Sequence, residues 1–272
     1  VSAASQLTAR QRSELQFHRV HAAAHRGAID RPVALDILAT GQRRPWNAYW
    51  SMYDRIMAAK PEGKRVLVPG CGFGDDAIRL ALLGAHVSAF DLSPESLQIA
   101  RARARLAGVD IAFDAMPAEN LSAYEDASFD LVIFVDILHH VDIPATIRAI
   151  SRVVRPGGEI IGDELYTHSL LQRLRESAAV EKLVYPLIRR WIYGGAEPYI
   201  TPDEHKIDER ELACVLDLLD RPEAEFFGRA EGRLFPSRMK ALAWIDKQIM
   251  HFAGPAAARL GGRVVFSGKC KA

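Results

Sequence analysis

A chain of 272 residues, 49% hydrophobic and 25% charged, is long enough to bury a full core and is ordinary for a globular protein. Its 35 basic and 34 acidic residues leave a net charge of +1, which excludes a built-in attraction to nucleic acid or anionic membrane and points to a small-molecule partner. Cys71, Cys214 and Cys270 are too few and too scattered for a disulfide framework or a metal cage, no apolar run approaches the roughly 20 residues that span a bilayer, and the N-terminal stretch lacks a signal-peptide core. The expectation is a cytoplasmic monomer or homodimer without stable membrane insertion.

Residues 1–60 read as an N-terminal helical cap. Ser13 to Gly27 suits a helix on which His18, His21 and His25 share one face, a polar face with substrate contact as its alternative and no metal expected. From Pro45 to Ala59, Trp46, Tyr49, Trp50, Tyr53 and Met57 recur at helical spacing, which predicts an amphipathic helix laid against the core. Tyr49 or Tyr53 is expected to turn its hydroxyl toward a ligand.

The centre of the chain is Arg65-Val-Leu-Val-Pro-Gly-Cys-Gly-Phe-Gly74. Val66 to Val68 form a short apolar run suited to a strand buried on both faces, and Gly70, Gly72 and Gly74 allow a sharp turn and close approach to a ligand. A helix follows from Asp75 to Leu83, with two acids near its positive end, and a second strand, His86 to Phe90, ends on Asp91. Asp91 lies about 20 residues past the first glycine, the separation at which a carboxylate reaches ribose hydroxyls. The spacing G-x-G-x-G departs from the dinucleotide fingerprint, whose third glycine comes one residue later. No Lys-Ser or Lys-Thr follows, which argues against a triphosphate loop. The unit reads as nucleoside-binding.

Ser93-Pro-Glu-Ser96 starts a second helix running to about Ala107, with Arg101, Arg103 and Arg105 assigned to a solvated face. Strand three spans Asp110 to Asp114, and strand four spans Ser128 to Val135. Asp136-Ile-Leu-His-His-Val-Asp142 follows at a carboxyl end, where open α/β sheets place ligands, so His139 and His140 are candidate bases. A helix from Pro144 to Val154 and the turn Arg155-Pro-Gly-Gly158 lead into strand five, Glu159 to Gly162, which delivers Asp163 and Glu164 to the same edge. About 60 residues then precede strand six at Glu225 to Gly228, more than one connecting helix needs. Leu170, Leu174, Leu183, Leu187 and Trp191 predict a helical lid over about residues 165–207, with a dimer surface as its alternative. Glu204 and His205, where the lid rejoins the core, are candidates for acceptor recognition. Helices over Asp208 to Leu219 and Ser237 to Ala253 and a last strand from Gly262 to Gly268 complete the chain.

From Lys64 to Gly162 the chain resembles the class I S-adenosylmethionine-dependent methyltransferases. Gly70-Cys-Gly-Phe-Gly74 looks like their first motif and Asp91 like their ribose-binding acid. Met116-Pro-Ala-Glu-Asn-Leu121 looks like the adenine-side loop, Phe129 to His140 like strand four with the catalytic-face loop, and Arg155 to Gly158 like the turn into strand five. The resemblance implies an α/β fold over residues 61–272: a Rossmann-like, seven-stranded, mostly parallel sheet with its last strand antiparallel, carrying the lid between strands five and six. It implies S-adenosylmethionine held by Gly70, Cys71, Gly72, Gly74, Asp91, Leu92, Met116, Pro117, Ala118 and Val135, with Tyr49 from the cap. Two positions depart from the pattern. Val68 stands where the first motif carries an acid, as in a variant seen in thiopurine-methyltransferase-like members, and Pro117 stands where an acid meets adenine.

Methyl transfer is an in-line displacement that asks mainly for positioning and exclusion of water, so it leaves little fixed signature. The expected acceptor is an oxygen of a small, partly hydrophobic molecule, because His139, His140, Glu164 and His205 offer bases at the expected site. Nitrogen, carbon or peptide-carboxylate acceptors, and a non-catalytic binding module, stay open.

Overall fold

The structure is a computed structural model that describes residues 7–39, 44–175, 177, 206–228 and 239–271. Its centre is a seven-stranded sheet in the order β3-β2-β1-β4-β5-β7-β6. The strands are β1 (Arg65–Pro69), β2 (His86–Asp91), β3 (Ala112–Ala115), β4 (Phe129–Val135), β5 (Val154–Leu165), β6 (Leu219–Phe227) and β7 (Arg263–Cys270). Strands β1 to β5 form parallel ladders, and β7 runs antiparallel to both β5 and β6, as the resemblance implied. Val66, Leu67 and Val68 are buried because β1 lies mid-sheet with helices on both faces.

The helices are α1 (Ala9–Ala24), α2 (Ala48–Ala58), α3 (Asp75–Leu82), α4 (Pro94–Ala107), α5 (Ile143–Val153), α6 (Ser169–Arg175), α7 (Glu209–Leu216), α8 (Lys240–Phe252) and α9 (Ala257–Leu260). Helices α2, α3 and α4 bury Tyr53, Ile56, Ile78, Leu80 and Leu97 with Val66, Val68 and Leu131 on one face of the sheet. On the other face, α5 and α7 bury Ile147, Ile150, Leu212 and Val215 with Leu67, Val132 and Phe266. None of the described helices is long and apolar enough to cross a membrane.

Two strands are longer than expected. Strand β5 begins at Val154 rather than Glu159, because Val154 pairs with Phe129 before the register jumps to Glu159 opposite Leu131. Arg155-Pro-Gly-Gly158 is thus an irregularity inside the ladder. Strand β6 begins at Leu219 rather than Glu225. Its register breaks between Asp220 and Glu223, where Arg221 takes a positive φ of 47° beside Pro222. A sheet-edge strand tolerates that proline, which hides the alternation that marks buried strands. Most of the expected lid, residues 178–205, lies outside the described residues, as do Glu204 and His205.

Candidate active site

The glycine loop depends on backbone freedom at Gly70, whose φ is +59° and whose missing Cβ would stand 2.4 Å from Ile137 Cδ1. Any side chain there collides with the loop after β4. The loop presents the Gly72 N–H to Asp91, which accepts it on Oδ2 at 2.8 Å while Oδ1 accepts the Ser93 N–H at 2.8 Å. A carboxylate oxygen has two lone pairs, so each Asp91 oxygen retains capacity for a ligand hydroxyl. Burial pushes the Asp91 carboxyl above its usual range, against the pull of the Ser93 and Gly72 amides.

With Val68 in place of an acid, the loop is braced from another direction. Arg103 donates to both oxygens of Asp75 at 2.7 and 3.0 Å and to the Phe73 carbonyl at 3.0 Å. Its assignment to a solvated face is therefore corrected: Arg103 is 6% exposed and ties α4 to the loop. The helix period placed Arg103 among alternating arginines but could not show that Asp75 sits opposite it.

Beside the loop lies a cavity of ≈ 340 Å³, within the range of small-ligand pockets. Gly70, Gly72, Asp91 and Leu92 line one side, Met116, Pro117 and Ala118 a second, and Asp136, Ile137, His139, His140 and Val141 a third. Gln11, Glu14 and His18 of α1 line the remaining side. Spacings of three and four residues put these three on one helical face. Helix α1 is anchored there by Arg10 Nη2 donating to the His139 carbonyl at 3.1 Å and Gln11 Nε2 donating to Glu119 at 2.9 Å. His21 stacks on Phe73 at 5.4 Å, so the expected common face of His18, His21 and His25 divides between the cavity and the glycine loop.

His139 and His140 come from the short turn after β4. Glu164, at the parallel position on β5, is fully buried. It accepts the Ile137 and Leu138 N–H groups on Oε1 at 2.7 Å each, and its Oε2 lies 2.9 Å from His139 Nδ1. Glu164 lies behind the cavity wall rather than on it. Asp163, also buried, is paired with Arg263 at 2.9 Å, and Arg263 reaches Asp136 at 2.7 Å.

Four expected ligand contacts do not line the cavity: Cys71, Gly74, Val135 and Tyr49. Gly74 caps α3 at φ 84°. Burial, with Asp91 nearby, pushes the Cys71 thiol up, which disfavours its thiolate form. Tyr49 and Tyr53 both donate to Asp76 Oδ1, Tyr53 at 2.5 Å, and Arg79 Nη1 donates to Tyr49 Oη at 2.6 Å. The tyrosines therefore turn to Asp76, a half-buried aspartate, and the ligand-facing role foreseen for one of them is not where the geometry puts them. The sequence reading passed over Gln11, Glu14 and Glu119. Glu14 stands four residues before His18, a spacing that was available as a signal.

The strand order, the glycine loop and a carboxylate at the end of β2 define a Rossmann-like, nucleoside-binding α/β protein. Residues 67–162 match the family described as methyltransferase domain. Ubiquinone biosynthesis O-methyltransferase of Xanthomonas axonopodis pv. citri is 35% identical over 142 residues, covering 50% of this chain and 59% of that protein. The chain thus spans less than two thirds of that curated relative's length. Among solved structures, the [4+2]-cyclase SpnF aligns with TM-score 0.56 and 18% identity over 97% of this chain and 96% of that one. A SAM-dependent methyltransferase from Methanosarcina mazei aligns with TM-score 0.53 and 19% identity over 81% and 99%. Residues 67–162 thus carry the match to the methyltransferase domain family, and the chain shares the fold of these solved structures.

Proposed function

We propose that this protein transfers a methyl group from S-adenosylmethionine to a hydroxyl of a small, partly hydrophobic molecule, of the hydroxylated aromatic type. The observation that carries this reading is the cavity between Asp91 and the His139–His140 wall. The cofactor suits the residues present: two acceptor oxygens on Asp91, a glycine loop open to close approach, and an apolar side from Leu92, Met116 and Ala118. When bound, the cofactor supplies a methyl group on a positively charged sulfur.

The chain's own part is to bind, orient and deprotonate. Gly70, Gly72 and Asp91 hold the nucleoside, and helix α1 acts as the cap that excludes water. A hydroxyl acceptor must give up its proton, and His139 is positioned to take it. An ionised carboxylate only accepts hydrogen bonds, so Glu164 fixes Nδ1 of His139 as the protonated nitrogen and leaves Nε2 as the acceptor. Glu164 is thus a positioning residue. Phe90, Ile137, Val141 and Leu165 give the acceptor side an apolar lining, which supports a hydrophobic substrate. The name of the Xanthomonas relative, an O-methyltransferase of ubiquinone biosynthesis, supports oxygen over nitrogen.

Glu164→Gln should keep the two loop N–H bonds through its amide oxygen but turn its amide hydrogen toward His139 Nδ1, which inverts the tautomer. Steady-state kinetics should show kcat lower by about 10-fold or more with KM little changed, since a positioned base contributes roughly 10²–10⁴-fold. Equal kcat in the variant would remove His139 as the base. The function itself is tested by incubating the protein and S-adenosylmethionine with catechols, phenols, amines and carboxylates, followed by mass spectrometry. Mass gain by one methylene unit on hydroxyl acceptors is expected, and transfer only to amines or carboxylates would overturn the oxygen reading.

A further inference from the structure

Helix α1 and the turn after β4 meet at the cavity through Glu14, His18 and His140. Glu14 Oε2 lies 3.6 Å from His18 Nε2 and 3.2 Å from His140 Nδ1. All three donor atoms lie within 4.8 Å of one another. Bonds of about 2.0–2.1 Å in a tetrahedral zinc site put neighbouring donor atoms roughly 3.3 Å apart, close to the two separations from Glu14. His140 Nδ1 is shielded from solvent and makes no hydrogen bond among the described residues.

From this geometry we propose that Glu14, His18 and His140 bind one divalent transition-metal ion on the cavity wall. Two imidazoles and one carboxylate are a borderline nitrogen-and-oxygen set, which suits zinc, iron or cobalt rather than magnesium or calcium, whose ligands are oxygens. All three residues line the cavity, so a fourth coordination position opens on the ligand space, as in catalytic rather than structural sites. An acceptor hydroxyl placed there would be held and polarised by the ion. The assignment deepens the methyl-transfer reading by giving the acceptor an anchor, and its donor geometry stands without that reading.

The test is a titration of the metal-stripped full chain with cobalt(II) chloride, followed by visible absorption and calorimetry, without cofactor or acceptor. Binding of a single ion with d–d bands of low coordination number is expected. Glu14→Gln, His18→Ala and His140→Ala should each weaken binding by about 10-fold or more. The double variant His21→Ala/His25→Ala, which removes the close histidine pair at the C-terminal end of α1, should bind as the parent does. Thermal melts of each variant without metal establish that it is folded. No cobalt binding by the parent, or undiminished binding by folded Glu14→Gln and His18→Ala, overturns the site. Since the titration involves no methyl transfer, its failure would leave the proposed activity standing, and loss of the activity would leave the site standing.

Discussion

Asp91→Ala is expected to weaken binding of S-adenosylhomocysteine by about 100-fold or more. Hydrogen bonds from ribose hydroxyls to an ionised carboxylate contribute roughly 1.5–3 kcal/mol each, and two of them amount to about two to four orders of magnitude in affinity. The same carboxylate receives the Gly72 and Ser93 N–H groups, so its removal also frees the glycine loop from the start of α4. Asp91→Asn separates the two effects, because its amide oxygen can keep one backbone donor while its amide hydrogens repel the other. A thermal melt of each variant beside the calorimetric titration shows whether fold or affinity was lost. Undiminished affinity in folded Asp91→Ala would place the nucleoside elsewhere.

The second large effect is on stability. Gly162 sits on β5, flanked by β4 and β7, with Phe266 paired directly opposite in the register. A Cβ at Gly162 would stand 2.2 Å from Phe266 Cζ, and Phe266 is fully buried. Overpacking of this kind costs about 1–3 kcal/mol, and valine at this position belongs at the upper end. Gly162→Val should lower Tm by roughly 6–12 °C in a chain of this size. The double variant Gly162→Ala/Phe266→Leu should be more stable than Gly162→Ala alone, because the smaller side chain yields space. A Tm for Gly162→Val within about 2 °C of the parent would contradict the packing.

The parts legible in the sequence are those whose signals are local. A buried β1, three glycines and an acid closing β2 lie within 27 residues, Arg65 to Asp91, and each acts through its own backbone or its nearest neighbour. The parts that were not legible depend on contacts between distant segments. Arg103 looked like one of three alternating surface arginines until folding set Asp75 and the Phe73 carbonyl against it. Tyr49 and Tyr53 carried hydroxyls in need of partners, and the partner turned out to be Asp76 of α3 rather than a ligand. Glu164 reached the expected edge, yet three donors of one turn occupy it. Helix α1 contributes Glu14 and His18 to a cavity whose lining outside α1 runs from Gly70 to Leu165, and nothing in its own periodicity shows that it covers a cavity. The first half of strand β6 is hidden in the sequence because Pro222 and a run of exposed charges at a sheet edge look like a loop.

The most direct measurement is isothermal titration calorimetry of the parent protein with S-adenosylmethionine and with S-adenosylhomocysteine. The geometry of Asp91, the glycine loop and the cavity predicts saturable binding of both at a single site, with dissociation constants of order micromolar, about −8 kcal/mol. Absence of binding by either compound to folded protein would contradict the account, and the cavity beside Asp91 would then serve another ligand.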